Sequence, residues 1–170
     1  GNRTVVFTNK DVELRNRFAF LAQILFGVET KEEKQVGKVE NVLVTSIELA
    51  NFLKTTCGNG AVNKFVPEFI MRSTKETISA FLEAFYEGDG SFHKNEVELS
   101  TSSKSLSIGL SYLLTRIGVL HTLGSRKTYR NDNYRIFVRG KENIAKFAGQ
   151  FNLWTQKTSK LKEYLENEKR

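Results

Sequence analysis

The chain has 170 residues, 39% of them hydrophobic, which is enough to build a core in one domain or in two small halves. Its 26 Lys and Arg against 19 Asp and Glu give a formal net charge of +7, and this excess of cations favours a polyanionic partner. The lone Cys57 excludes an internal disulfide, and with only two histidines beside it the chain has no Cys/His zinc cluster. No apolar run is long enough to cross a bilayer, and no signal peptide is visible. We therefore expect a soluble, cytoplasmic protein that contacts no membrane.

The first part of the chain predicts a strand, a helix, two strands and a second helix. Residues 4–8 are β-branched and aromatic, as in a strand, and Asp11 and Gly27 cap and close the helix that follows. The residues of this helix that recur at helical spacing are expected to be buried: Leu14, Phe18, Leu21, Ala22 and Leu25. Strands are predicted over 28–30 and 36–45, and Ser46 caps a helix over 47–55.

Residues 73–90 have the pattern of one complete helix. Ser73 and Glu76 have the spacing of a capping box, and glycines at 88 and 90 allow the helix to unwind. Beside its large apolar face runs a stripe of small residues four apart: Ala80, Ala84 and Gly88. Small side chains let another backbone approach closely, so we expect a second helix to pack on this stripe.

Asp89 ends this helix, where the dipole has its negative end. An acid there is not stabilised by the helix and needs a cation, for which a hard divalent ion is suited. An exposed acidic turn beside an Ala/Gly stripe is the alternative interpretation.

The remainder of the chain repeats the order of the first part. A hairpin is predicted over 91–101 with a Lys94-Asn95 turn, followed by a helix over 104–117, strands over 119–130 and 134–139, a helix from 141, and an amphipathic helix over 156–170. Residues 5–8 align with 97–100, and 26–28 with 117–119. The repeat predicts an α+β fold of two pseudo-symmetric β-α-β-β-α units with antiparallel sheets, the halves being 1–72 and 73–170.

Residues 82–90, Leu-Glu-Ala-Phe-Tyr-Glu-Gly-Asp-Gly, resemble the LAGLIDADG motif of homing endonucleases and of intein-borne endonuclease domains. The similarity continues through Ser91 and Phe92 and, more loosely, over most of the chain. It implies site-specific binding of double-stranded DNA and phosphodiester hydrolysis that depends on Mg²⁺ or another divalent cation, held at Asp89 and Gly88. In the family the position of Glu87 pairs with the facing helix, so the resemblance gives Glu87 no catalytic role.

Lys141 is the second candidate for chemistry. It lies in the first turn of a predicted helix, where the dipole favours an acid, so a structural reason for a lysine is weak. In the LAGLIDADG family a lysine near the end of the last strand of each unit lies by the scissile phosphates and helps polarise the attacking water, and residues 138–141 resemble that position. Ser46 is its counterpart in the first half. A solvated surface lysine is the alternative.

The repeat places the first half's counterpart of the motif helix a few residues before Gly1. We therefore expect a dimer, or an upstream segment, to supply a second motif helix against Ala80, Ala84 and Gly88. Because the chain has one such acid, its activity could be nicking alone, slow cleavage or binding without cleavage, as alternatives to double-strand cleavage.

DNA is expected to lie on the sheets, because strand alternation turns every second side chain away from the core. A two-stranded ribbon fits the major groove, and arginine binds phosphate or guanine. The candidate DNA-binding residues are cations and their polar neighbours: Arg126, Lys127, Tyr129, Arg130, Arg135, Arg139, His93, Lys94, Asn95, Lys34, Lys38 and Asn41. Cations on exposed strands also prevent edge-to-edge aggregation, which is the alternative interpretation.

Two other classes of function remain open. LAGLIDADG-like folds also occur in RNA maturases and in transcription-factor domains that have lost cleavage, so structured RNA is a possible partner. A structural module of a larger protein is the other. Residues 7–11 and 66–70 resemble intein-borne endonucleases, but no nucleophile stands at Gly1 and no His-Asn pair precedes Arg170, so self-splicing is not expected.

Overall fold

The computed structural model describes residues 3–34, 37–127, 132–149, 151–152 and 155–167. The chain divides into two compact units, Gly1–Thr55 and Thr56–Arg170. Residues 56–72 pack on the rest of the second unit, and the predicted division into repeat halves 1–72 and 73–170 stays a prediction. Val66 belongs to that unit's core, the Ser103 hydroxyl donates to the Lys64 carbonyl at 2.5 Å, and the Arg116 guanidinium donates to the Met71 carbonyl at 2.7 Å.

The first unit has the predicted order of elements: β1 (Thr4–Thr8), α1 (Val12–Phe26), β2 (Thr30–Glu33), β3 (Asn41–Thr45) and α2 (Ile47–Cys57). Its three strands form an antiparallel sheet in the order β1-β3-β2. The Asp11 carboxylate accepts from the backbone of the first turn of α1, and Gly27 ends the helix at φ 63° in the left-handed region, as the sequence predicts. Ser46 caps α2 by accepting from Leu49 N at 3.1 Å.

The described residues of the second unit form these elements: α3 (Glu68–Met71), α4 (Lys75–Asp89), β4 (Gly90–His93), β5 (Glu96–Thr101), α5 (Lys104–Arg116), β6 (Thr122–Lys127), β7 (Asp132–Arg139), α6 (Lys141–Ala148) and α7 (Gln156–Asn167). The strands form an antiparallel sheet in the order β4-β5-β7-β6. Lys94 and Asn95 join β4 to β5 with φ of 50° and 59°, so this predicted hairpin has two left-handed turn residues. None of the helices among the described residues has the length and apolar composition to cross a membrane.

The helix α4 begins one residue later than the capping-box pattern predicts. Thr74 is the N-cap and accepts from Thr77 N at 3.5 Å, whereas the Ser73 hydroxyl donates to the Phe69 carbonyl of α3 at 2.6 Å. The hydrogen bond with Thr74 lowers the pKa of Glu76. Gly90 is extended rather than left-handed, and it is glycine for another reason: a Cβ there would lie 2.4 Å from the Tyr86 ring.

The two units share one topology but differ in completeness. The order β1-β3-β2 of the first sheet corresponds to β5-β7-β6 of the second, in which β4 adds a strand on the outer edge of β5. Among the described residues no strand occupies the matching edge of β1. The first core is correspondingly small, being formed by Ala22, Val44 and Leu49 with a few half-buried neighbours.

Helix α1 lacks the cover that α5 receives. Counted from the N-caps Asp11 and Ser103, Leu21 and Leu113 occupy the same position, yet Leu21 is 38% exposed and Leu113 is fully buried in the core that α4 shares. Leu25 is 64% exposed. The predicted burial of Leu21 and Leu25 is therefore wrong in this structure, because no described helix of the first unit occupies the place that α4 has in the second.

This difference predicts unequal costs for the same substitution at matched positions. Leu113→Ala should lower the free energy of unfolding of the second unit by roughly 2–5 kcal/mol, because it leaves a cavity in a closed core. Leu21→Ala should change the first unit by less than about 1 kcal/mol, because the side chain already meets water. Urea unfolding followed by circular dichroism measures both, and equal losses would show that Leu21 is covered.

Candidate functional site

The site is organised around the C-terminal end of α4. Asp89 is exposed as the last residue of this helix, and the two residues that anchor the turn below it, Tyr86 and Glu87, are buried. The Tyr86 ring meets Phe147 edge-on, with centroids 5.6 Å apart. Burial, and after it the charge of Glu87, raises the pKa of the Tyr86 hydroxyl, which therefore stays protonated. Asp89 thus projects from a helix end that is fixed on its inner side.

The buried Glu87 carboxylate is held by the start of α7. Its two oxygens accept hydrogen bonds from the hydroxyls of Thr155 and Thr158. Thr158 N also approaches the Thr155 hydroxyl at 3.5 Å, so Thr155 has the position of an N-cap. The N-terminal end of a helix carries the positive end of its dipole and favours the carboxylate there. The resemblance implies a partner for Glu87 on the facing motif helix, whereas the partners in this structure are hydroxyls at the start of α7.

Lys157 closes the same end of α4 from outside. Its ammonium donates to the carbonyls of Glu87 at 2.7 Å, Gly88 at 3.2 Å and Tyr86 at 3.4 Å. A cation at a helix C-terminus satisfies carbonyls that have no partner within the helix and offsets the negative end of the dipole. Lys157 has no local sequence signal for this role, because no local pattern connects it with residues about seventy positions earlier.

The predicted metal ligands form only part of a site. Asp89 offers an exposed carboxylate, which suits a hard cation, but the Gly88 carbonyl accepts from Lys157. Within the described ranges, no group of three or more His, Cys, Asp or Glu side chains could hold a metal ion. Asp89 is therefore not part of such a group among the described residues.

The small-residue stripe of α4 faces away from the core. Ala80, Ala84 and Gly88 are all exposed, and a Cβ added at Gly88 would meet nothing within 4 Å among the described residues. A helix backbone could approach this surface without steric conflict. Whether a second helix packs there stays a prediction.

Asp89 lies just before the start of β4, whereas Lys141 lies beyond the level of the other end of β4. The strand register sets Gly90 level with Ile136 and His93 level with Arg139. Asp89 precedes Gly90, whereas Lys141 follows Arg139 after Gly140, which has φ 82°. The lysine that the structure brings to the end of α4 is therefore Lys157 rather than Lys141.

The open face of the second sheet carries four of the predicted DNA-binding residues. Buried residues of β5 and β7 such as Leu99 and Val138 alternate with side chains on the opposite face. The predicted residues on this open face are His93, Arg126, Arg135 and Arg139. Lys94 and Asn95 lie at the hairpin turn beside it.

The other predicted contacts are distributed elsewhere. Lys127 lies opposite Asp132 on β7, and Asp132 is on the same face of the sheet as Tyr134 and Ile136. Lys127 therefore lies on the opposite face from Arg126. In the first unit Lys34 is exposed and lies 3.6 Å from Glu40, and Lys38 is exposed in the loop before β3. Tyr129 and Arg130 lie outside the described residues.

Comparison with known proteins gives a consistent picture. Residues 76–152 match the model of the LAGLIDADG-like domain. The chain is 33% identical over 168 residues to the replication factor C small subunit of Methanocaldococcus jannaschii, covering 95% of this chain and 9% of that protein. It is 31% identical to a component of the A-type ATP synthase of Pyrococcus abyssi, covering 86% of this chain and 15% of that protein.

The fold is that of a solved homing endonuclease. The structure of I-DmoI in complex with DNA and Ca is similar at a TM-score of 0.71 and 18% identity, with 94% of this chain and 83% of that chain covered. At this identity the likeness concerns the fold, namely the mixed α+β arrangement with antiparallel sheets that the sequence predicts. The chain spans less than a fifth of the length of the curated relatives named above.

The Glu87 network predicts a stability cost that a surface threonine does not show. Thr158→Val removes a hydroxyl donor from a buried carboxylate, so the free energy of unfolding should fall by about 1–3 kcal/mol. Thr115→Val is the matched control, since the Thr115 hydroxyl is exposed and bonds the Ser111 carbonyl, and its loss should cost less than about 1 kcal/mol. Urea unfolding compares the two, and equal values would contradict a structural role of the network.

Proposed function

Because the chain belongs to the LAGLIDADG family, we propose that it binds double-stranded DNA on the open face of its second sheet and hydrolyses a phosphodiester bond beside Asp89. One observation carries this proposal above the others: α4 ends in an exposed carboxylate whose backbone is held in place by Glu87 and Lys157. A sheet face with three arginines and a histidine belongs to the same unit. Phosphate contacts by cations position DNA, and base edges specify it.

Asp89 would hold Mg²⁺ or another divalent cation together with an acid from a second motif helix. The cation, when bound, polarises the phosphate and lowers the pKa of water. The other proposed role in the reaction belongs to Lys157. Lys157 fixes the carbonyls below Asp89 and provides positive charge beside the reacting phosphate, which is the role that the resemblance gave to Lys141.

A second motif helix is part of the proposal. The exposed stripe at Ala80, Ala84 and Gly88 and the uncovered residues of α1, Leu21 and Leu25, both support it. In the second unit such a helix, α4, buries the corresponding position of α5. We propose that a helix of this kind, from a second chain or from an adjoining segment of a longer polypeptide, packs on α4 and brings the second acid.

We also propose that the chain is an inserted, intein-borne domain. The same segment is similar to small parts of a replication factor and of an ATP synthase. Proteins of such different function have no common reason to contain this unit, which supports an origin as an insertion.

A DNA- or RNA-binding domain without cleavage is the second candidate. One observation favours it: Lys157 already bonds the Gly88 carbonyl, and the described residues hold no complete metal site. Duplex binding with no nicking under any divalent cation is its expected signature.

Asp89→Asn should abolish Mg²⁺-dependent nicking of a supercoiled plasmid library while duplex affinity changes by less than about threefold, because the carboxylate holds the cation and makes no base contact. Glu142→Gln, on the exposed side of α6, is the control and should cleave like the wild type. Agarose gels measure nicking and fluorescence anisotropy measures binding. Full activity of Asp89→Asn would contradict the proposed role.

The two lysines give opposite expectations. Lys157→Met should reduce the single-turnover nicking rate by roughly tenfold or more, because a charge beside the reacting phosphate is lost. Lys141→Met should leave that rate within about threefold, because Lys141 leaves the sheet at the other end of β4. A thermal melt checks that Lys157→Met is folded. The reverse order of effects would return the role to Lys141.

A further inference from the structure

Two arginines of the open face are paired with glutamates on the neighbouring strand. Arg135 Nε lies 3.2 Å from Glu98 Oε1, and Arg139 Nε donates to Glu96 Oε2 at 2.6 Å. The glutamates are the more buried partners, with side chains 25% and 29% exposed against 39% and 53% for the arginines. Carboxylates thus lie within the surface that would meet a polyanion.

Further contacts hold both guanidinium groups in place. Arg139 Nη1 donates to the Thr122 hydroxyl at 3.0 Å, and its guanidinium carbon lies 4.6 Å from the centre of the Phe137 ring. Arg135 Nε also donates to the Asn133 amide oxygen at 3.2 Å. These arginines are therefore oriented by side chains of three adjacent strands, β5, β7 and β6, rather than extended freely into solvent.

This pairing has a consequence for DNA of any sequence. An arginine that reorients towards a phosphate loses its contact with the glutamate, and a phosphate that approaches the paired arginine is repelled by that glutamate. The charge-driven part of binding, which is independent of sequence, is weakened by both effects. A guanidinium held in one orientation can still form paired hydrogen bonds with a base edge that comes to it.

We propose that Glu96 and Glu98 are specificity-determining residues that hold Arg139 and Arg135 away from the phosphates of non-target duplex DNA. This inference rests on the proposed DNA-binding function and extends it. The pairs could instead only stabilise the sheet, as cross-strand ion pairs do. The two interpretations differ in what removal of the glutamate charge does to binding.

The test uses the full chain and a random-sequence duplex, with affinity measured by fluorescence anisotropy over a series of KCl concentrations. Glu98→Gln and Glu96→Gln should each bind at least about threefold more tightly than the wild type. Each should steepen the plot of log affinity against log salt by about one unit, as expected for one added phosphate contact. Glu142→Gln is the matched control, because it removes the same charge from an ion pair with Lys146 on α6.

A double-mutant cycle shows whether the freed arginine causes the gain. In the Arg135→Gln background, Glu98→Gln should improve binding by less than it does with Arg135 present, and it should no longer steepen the salt dependence. An undiminished gain there would come from reduced repulsion alone and would overturn the pairing mechanism.

The outcomes separate this inference from the function beneath it. Duplex binding by the wild type, with Glu96→Gln and Glu98→Gln indistinguishable from Glu142→Gln or weaker, would overturn the inference alone. If the wild type fails to bind any duplex at the lowest salt, the proposed function fails, and the inference fails with it. Circular dichroism of each variant checks that the sheet is intact.

Discussion

The structure depends most on the contact between the end of α4 and the start of α7. A helix that ends in an acid has unpaired carbonyls and a negative dipole end at the same place, so it is unstable there without a cation. Lys157 supplies that cation, and the hydroxyls of Thr155 and Thr158 donate hydrogen bonds to the buried Glu87 carboxylate. The carboxylate of Asp89 can then point outward, and the backbone beneath it has little freedom to move.

The comparison of α1 with α5 shows how much one covering helix contributes. Both helices begin at a matching cap and have similar lengths and apolar spacing, but among the described residues only α5 is covered by another helix, α4. Leu113 is buried as a result, whereas the Leu21 side chain is partly exposed to solvent. An apolar face of this kind on a repeated unit is the surface that a matching helix would bury.

The open face of the second sheet carries arginines that form ion pairs with glutamates of the neighbouring strand. Alternation along β5 and β7 separates a fully buried apolar face from an open face that holds both arginines and glutamates. A face with cations alone would bind any polyanion through charge. Paired and oriented guanidinium groups instead favour contacts that need a defined geometry.

The sequence by itself determined the order of elements and the repeat, because capping, helical spacing and turn preference act between near neighbours. Asp11, Gly27 and the Lys94-Asn95 turn are examples. Only the tertiary structure decided that Thr74 rather than Ser73 caps α4, that Leu21 is exposed, and which lysine bonds the last carbonyls of α4. Lys157 meets Glu87 across 70 residues and Arg139 meets Glu96 across 43, and such pairs depend on strand register and helix packing, which no local pattern contains.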